Sequence, residues 1–227
     1  MAKAKTVAVA NLKGGAGKST TTINLAAAAE NTGIRTAIID IDPEQQAAAR
    51  WKDGRQAERP TVHSAVYTRI AQGISEAVEK GAELVFIDCP AFVPAITTEA
   101  VKLADLVLIP CRTTVQDIQF LMSTADIAAD RQKPTAVVLN AVEPVKETEQ
   151  ARTFITDKGI ALAPVSLSKA VSYHRAITAG LGVTEFEPNG KAAQEVLLLL
   201  DWISRLLDLS HDIQVEQSKA RVTSESR

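Results

Sequence analysis

A chain of 227 residues, 46% hydrophobic and 23% charged, can bury a substantial core and does not have the composition of a disordered or fibrous protein. A formal net charge of −2 provides no global attraction for nucleic acid, so any such binding needs a local basic patch or an assembly of several copies. Two cysteines make no disulfide framework, no apolar stretch is long enough to span a bilayer, and Met1-Ala-Lys-Ala-Lys5 lacks the apolar core of a signal peptide, so a cytoplasmic protein is expected.

The first predicted strand, 6–10, leads into Lys13-Gly-Gly-Ala-Gly-Lys-Ser-Thr20, and a helix is predicted over 18–31. Strand, glycine loop and helix N-terminus in that order are what a phosphate-binding loop requires. The backbone N–H groups of Gly14, Gly15, Ala16 and Gly17 can close around phosphate oxygens, and the helix start adds a positive partial charge. Lys18 is expected to reach the β- and γ-phosphates, Ser19 to ligate Mg²⁺, and Thr20 to complete the nucleotide-binding segment. The strict pattern G-x-x-x-x-G-K-[ST] is not met, because Leu12 occupies its first position; a second lysine, Lys13, opens the loop instead.

Further strands are predicted over 35–40, 84–88, 106–110, 135–140 and 159–163, with helices over 44–51, 67–80, 95–103, 117–131, 147–157 and 190–208. Most of the strand segments are continuous apolar runs, the pattern of strands buried on both faces. Alternation with helices predicts an α/β fold, a doubly wound and mostly parallel sheet flanked by helices, in one domain over 1–208. Ligands in such folds bind at the carboxyl ends of the strands, where the motifs fall. In 190–208, Ala193, Val196, Leu197, Leu199, Leu200, Ile203, Leu206 and Leu207 form a wide apolar face that suits packing on the sheet. A membrane-surface helix would want a polar face rich in Lys and Arg, and here it carries Asp201 and Asp208. The segment 209–227 is polar and is expected to be a disordered tail.

Three aspartates accompany the loop. Asp88 closes an apolar run and suits a Mg²⁺ anchor acting through water. Asp40 and Asp42 end the second predicted strand, where alternation puts both carboxylates on one side; one can support the metal shell and the other orient the attacking water. A single Asp at a strand end is more simply the N-cap of the next helix, a reading that three together weaken. Asn140, ending another run, is either an adenine contact or a turn or cap residue.

Lys13-Gly-Gly-Ala-Gly-Lys-Ser-Thr20, Asp40-Ile-Asp-Pro43 and Phe86-Ile-Asp-Cys-Pro90 together resemble the ParA/MinD group of deviant Walker A ATPases, and within it the short plasmid-type ParA proteins. The resemblance implies a P-loop NTPase fold, ATP and Mg²⁺ as cofactors, and slow, partner-stimulated hydrolysis. It implies that Lys13 crosses a homodimer interface to nucleotide on the other subunit, that Asp42 acts in hydrolysis with Lys13 and Lys18, and that Asp40 belongs to the metal-site segment. Glu44 stands where the family usually has glutamine. The resemblance further implies nonspecific DNA binding by the ATP-bound dimer, association with the nucleoid, and release through a ParB-like or other cargo adaptor. Lys169 and Arg175 lie in the corresponding DNA segment, although they read equally as solvated surface charges. The competing readings are a MinD-like membrane-positioning ATPase, for which the polar tail supplies no basic amphipathic segment, and a P-loop ligase or amidase acting on a small molecule. The spacing of Cys89 and Cys111 matches no simple cluster or metal pattern.

Overall fold

The computed structural model describes residues 4–143 and 146–209. In chain order the elements are β1 (Lys5–Val9), α1 (Lys18–Asn31), β2 (Thr36–Asp40), α2 (Ala47–Asp53), β3 (Thr61–Ser64), α3 (Ile70–Glu79), β4 (Leu84–Asp88), α4 (Pro94–Leu103), β5 (Leu106–Cys111), α5 (Val115–Asp130), β6 (Thr135–Val142), α6 (Lys146–Asp157), β7 (Ala161–Leu162), β8 (Leu167–Ser168), α7 (Val171–Thr178), α8 (Val183–Phe186) and α9 (Lys191–Leu206). The sheet runs β3-β2-β4-β1-β5-β6-β7, with β8 also paired to β6, and every pairing among the described residues is parallel. The strand order reverses around β1, so the loop after β1 lies at the topological switch point where α/β sheets hold ligands.

Strand alternation divides the core in two. Val7, Val9, Ile38, Phe86 and Leu108 face α1 and α9, packing with Ile23, Leu25, Leu199 and Ile203. Ala8, Ile39, Ile87, Val107 and Ile109 face the other way, against Ile70, Val101, Leu121 and Ile155 of α3, α4, α5 and α6. Covered on both faces, the central strands need no polar side, which is why they are continuous apolar runs. The α1 helix is buried along most of its length, and the small side chains Ala26 to Ala29 let it lie between the sheet and its neighbours.

The wide apolar face of α9 packs inward through Ala193, Val196, Leu199, Leu200 and Ile203, whereas Leu206, read as part of that face, is 46% exposed in the last turn. Two strands escape the apolar-run criterion. β3 is an edge strand that is only half buried, and β8 is two residues long. The predicted strand 159–163 shrinks to Ala161–Leu162, and α7 and α8 are short helices in a stretch not predicted as helical. The expected tail lies almost wholly outside the described residues.

Candidate functional site

The loop between β1 and α1 is tied down from several directions. Asn11, fully buried, donates through Nδ2 to Pro110 O at 2.8 Å and accepts the Lys13 N–H at Oδ1 at 2.8 Å. The Leu12 N–H donates to Thr124 Oγ1 on α5 at 3.1 Å. Gly15 and Gly17 adopt φ of 72° and 97°, a left-handed backbone in which a side chain would be strained, and Gly17 caps α1 in that conformation. Thus Gly15 and Gly17 answer to backbone geometry.

Lys18 begins α1, is 8% exposed, and donates from Nζ to Lys13 O at 3.1 Å, folding back over the loop. Burial lowers its ammonium below the usual lysine range, and the nearby Asp88 carboxylate opposes that shift. The Lys13 ammonium, 21% exposed, pairs with Asp117 Oδ1 of the same chain at 2.7 Å. Ser19 and Thr20 follow in the first turn of α1, both partly exposed.

Asp88 ends β4 directly beside Val9 of β1 and Asp40 of β2 in strand register. It is fully buried; Oδ1 accepts the Thr22 hydroxyl at 3.4 Å, and Oδ2 has no hydrogen-bond partner among the described residues. Burial, reinforced by the Asp40 charge, pushes its carboxyl up to about 7, with the Ser19 hydroxyl and Lys18 pulling the other way. An orphaned buried oxygen on a carboxylate close to the Ser19 hydroxyl fits a site for a hydrated divalent cation.

Asp40 and Asp42 do not share a strand face. β2 stops at Asp40, and the chain turns, so the predicted alternation does not reach Asp42. Asp40 Oδ1 accepts the Asp42 N–H at 3.1 Å, while Oδ2 accepts the N–H groups of Ala48 and Ala49 at 3.0 and 3.1 Å. It therefore satisfies two first-turn N–H groups of α2 from outside the helix, whose N-cap position is Gln46. Burial still raises its carboxyl, with those backbone donors lowering it. Asp42 is half buried, and its Oδ1 accepts the Glu44 and Gln45 N–H groups at 2.9 Å, fixing the turn beside the loop. Asn140, 9% exposed, donates from Nδ2 to Ala16 O at 2.8 Å.

Four contributors were not singled out in the sequence: Asn11, Asp117, Thr124 and Phe92. Asn11 follows an apolar run directly, and that was its only signal. Asp117 and Thr124 sit more than 100 residues from the loop they hold. Phe92, 65% exposed with φ of 57°, donates its N–H to Leu12 O at 2.9 Å and sets its ring against Phe120, centroids 6.0 Å apart and edge-on.

The basic candidates for DNA contact separate. Lys169 lies before α7 and pairs with Glu143 at 2.9 Å. Arg175, on α7, is exposed and has no carboxylate partner among the described residues. Two other basic side chains, Lys191 and Arg205 of α9, pair with Glu195 and Asp201 on the same helix. Cys89 and Cys111 are buried free thiols, Cys111 pushed up to about 12 by burial, and no group of three or more potential metal-ligating side chains occurs among the described residues. No helix among the described residues is long and apolar enough to cross a membrane.

Residues 7–183 match the model of the CobQ/CobB/MinD/ParA nucleotide binding domain. Maintenance of carboxysome distribution protein A of Halothiobacillus neapolitanus is 29% identical over 202 residues, covering 85% of this chain and 93% of that protein. Protein ParA of Rhizobium radiobacter is 28% identical over 177 residues, covering 74% of this chain and 79% of that protein. Among solved structures, the septum site-determining protein MinD of Pyrococcus horikoshii, complexed with Mg-ADP, superposes with a TM-score of 0.73 at 16% identity, covering 90% of this chain and 98% of that one; it is similar in fold.

Proposed function

The chain belongs to the CobQ/CobB/MinD/ParA nucleotide-binding family, and from that premise we propose that it is a ParA-like positioning ATPase. It binds ATP with Mg²⁺, dimerises on ATP, holds nonspecific DNA as the dimer, and lets go when an adaptor protein stimulates hydrolysis. The observation that carries this reading is the presence on one loop of two lysines, Lys13 and Lys18, near a buried carboxylate oxygen of Asp88 that has no hydrogen-bond partner among the described residues.

In this reading the loop backbone from Gly14 to Gly17 and the start of α1 bind the phosphates, and Lys18 neutralises the β- and γ-oxygens. Ser19 and Asp88 would hold Mg²⁺, and the ion would supply charge neutralisation at the phosphate oxygens. Asp42 orients the attacking water from its turn. Asp40 supports the metal-side segment by fixing the starts of that turn and of α2. Lys13 leaves Asp117 to reach nucleotide on a second copy, where burial between subunits strengthens the contact. DNA contact is with phosphate rather than base edges, through Arg175 and, once freed from Glu143, Lys169. The protein works in the cytoplasm, on the nucleoid.

The cargo is a plasmid, a chromosome region or a large protein assembly. The relative named for carboxysome distribution supports the last of these as a class.

The test is fluorescence anisotropy of a nonspecific DNA duplex with ATP, ADP and no nucleotide, at low and moderate salt. ATP-dependent binding that falls steeply with salt is expected. Absence of binding by folded, ATP-loaded protein would sink the DNA part and favour the membrane or small-molecule alternatives, which retention on liposomes or substrate-dependent turnover would then separate.

A further inference from the structure

We infer that Asn140 is a positioning residue of the phosphate loop: it pins the Ala16 carbonyl and thereby orients the Ala16–Gly17 peptide, and Gly17 is glycine partly to admit it. The inference rests on reading the loop as a triphosphate site, but it assigns Asn140 a task independent of any base.

Strand parity sets the direction. In β6, Ala136 and Val138 pack on the side of α1 and α9, while Val137 and Leu139 face α5 and α6. Asn140 shares the parity of Ala136 and Val138, so at the carboxyl end of β6 its side chain meets the start of α1. The regular ladder breaks directly after it: pairing with β8 shifts between Asn140 and Val142, and Ala141 takes φ of 52°.

The contact is close and buried. Nδ2 lies 2.8 Å from Ala16 O, and a Cβ built on Gly17 would fall 1.8 Å from Nδ2 and 3.0 Å from Cγ. Gly17 is thus constrained twice, by its φ of 97° and by the amide lying against its Cα.

In a planar trans peptide the carbonyl and the following N–H point in opposite directions. With Ala16 O held on Asn140, the Gly17 N–H points away from β6, has no acceptor among the described residues and can serve an anion. Without that donor the peptide before a permissive glycine can turn its carbonyl toward the phosphates, which would repel them. The bond spans 124 residues, so it also couples the loop to the β6 end of the sheet.

Isothermal titration of the full chain with Mg²⁺-ATP, Mg²⁺-GTP and base-free Mg²⁺-tripolyphosphate separates this role from a base contact. Asn140→Ala is expected to weaken tripolyphosphate and ATP alike, by about tenfold, the size of a lost buried hydrogen bond, and to leave the ratio of ATP to GTP affinity unchanged. Asn140→Ser, too short to reach Ala16, serves as a second variant should Asn140→Ala fail to fold, and the thermal midpoint without nucleotide checks folding. Unchanged tripolyphosphate affinity in a folded variant would overturn the inference, whether ATP binding fell selectively, as for an adenine contact, or did not fall. Wild-type protein that binds neither ATP nor tripolyphosphate would instead remove the triphosphate reading, and this inference with it.

Discussion

Lys13 Nζ and Asp117 Oδ1 lie 2.7 Å apart, joining the glycine-rich loop between β1 and α1 to a carboxylate on α5 that is almost completely buried. The Thr114 hydroxyl bonds the same carboxyl group, and Thr114 caps α5 by accepting the Asp117 N–H. A lysine held this way cannot at the same time contact nucleotide on a second copy. Asp117→Asn should therefore favour the ATP-bound dimer, lowering the protein concentration at half-dimerisation by several-fold, roughly 1 kcal/mol. Lys13→Ala should abolish ATP-dependent dimerisation and destabilise the free chain by about 1–3 kcal/mol, because Asp117 is left buried without its counter-charge. Sedimentation velocity and denaturant unfolding read the two effects; an unmoved dimer midpoint in Asp117→Asn would remove the competition.

Lys18 and Asp42 should separate binding from turnover. Lys18→Ala removes a buried cation from the loop and is expected to weaken Mg²⁺-ATP by about 100-fold or more, equivalent to about 3 kcal/mol. Asp42→Ala should lower the hydrolysis rate by about 10²-fold or more while ATP affinity stays within about threefold. Titration calorimetry and phosphate release measure the pair, and normal turnover in Asp42→Ala would take that residue out of the mechanism.

Asp88 makes stability depend on pH in the Mg²⁺-free chain. Burial raises its carboxyl from 3.8 to about 7, so between those values the folded chain holds a proton that the unfolded chain releases. The stability it contributes is therefore complete below about pH 4 and is lost as pH rises through about 7. Asp88→Asn should remove that slope and raise the thermal midpoint at pH 8 by about 5 °C or more, while matching wild type near pH 4. With Mg²⁺-ATP the order should reverse, because the variant lacks the anionic oxygen. An equal pH slope in variant and wild type would assign the dependence elsewhere.

Arg55 ties the segment after α2 to α8. Its guanidinium donates to Glu185 through both terminal nitrogens, to Gly180 O at 3.0 Å and, through Nε, to Arg59 O at 2.7 Å, and it lies over the Trp51 ring at 4.9 Å. Breaking a buried pair strands its partner groups, so Arg55→Ala is predicted to cost about 3–5 kcal/mol and Arg55→Lys most of that, since an ammonium cannot make the forked contact. Denaturant midpoints with an unchanged slope would confirm a loss of stability alone.

For DNA, Arg175→Ala should weaken binding of the ATP-bound protein about equally across duplex sequences and lower the salt slope by roughly one per contact removed. Lys169→Ala should do less, because Lys169 must first leave Glu143. An unaltered salt slope in both variants would place the DNA surface on other residues.

The sequence by itself determined the sheet interior and marked out the glycine-rich segment after β1. Strands covered on both faces must be apolar at every position, so β1, β2, β4, β5 and β6 stood out as runs, and a backbone that wraps phosphate needs its glycines contiguous in the chain. It did not reveal β3, because an edge strand is only half buried and need not be apolar. Nor did it reveal what each site side chain touches. Asp40 bonds the first turn of α2 because the chain turns directly after it, Lys13 finds Asp117 because β5 lies beside β1, and Asn140 reaches Ala16 because β6 comes next in the sheet. Such contacts follow from strand order and crossover geometry, which no local periodicity encodes, so only the tertiary structure decided them.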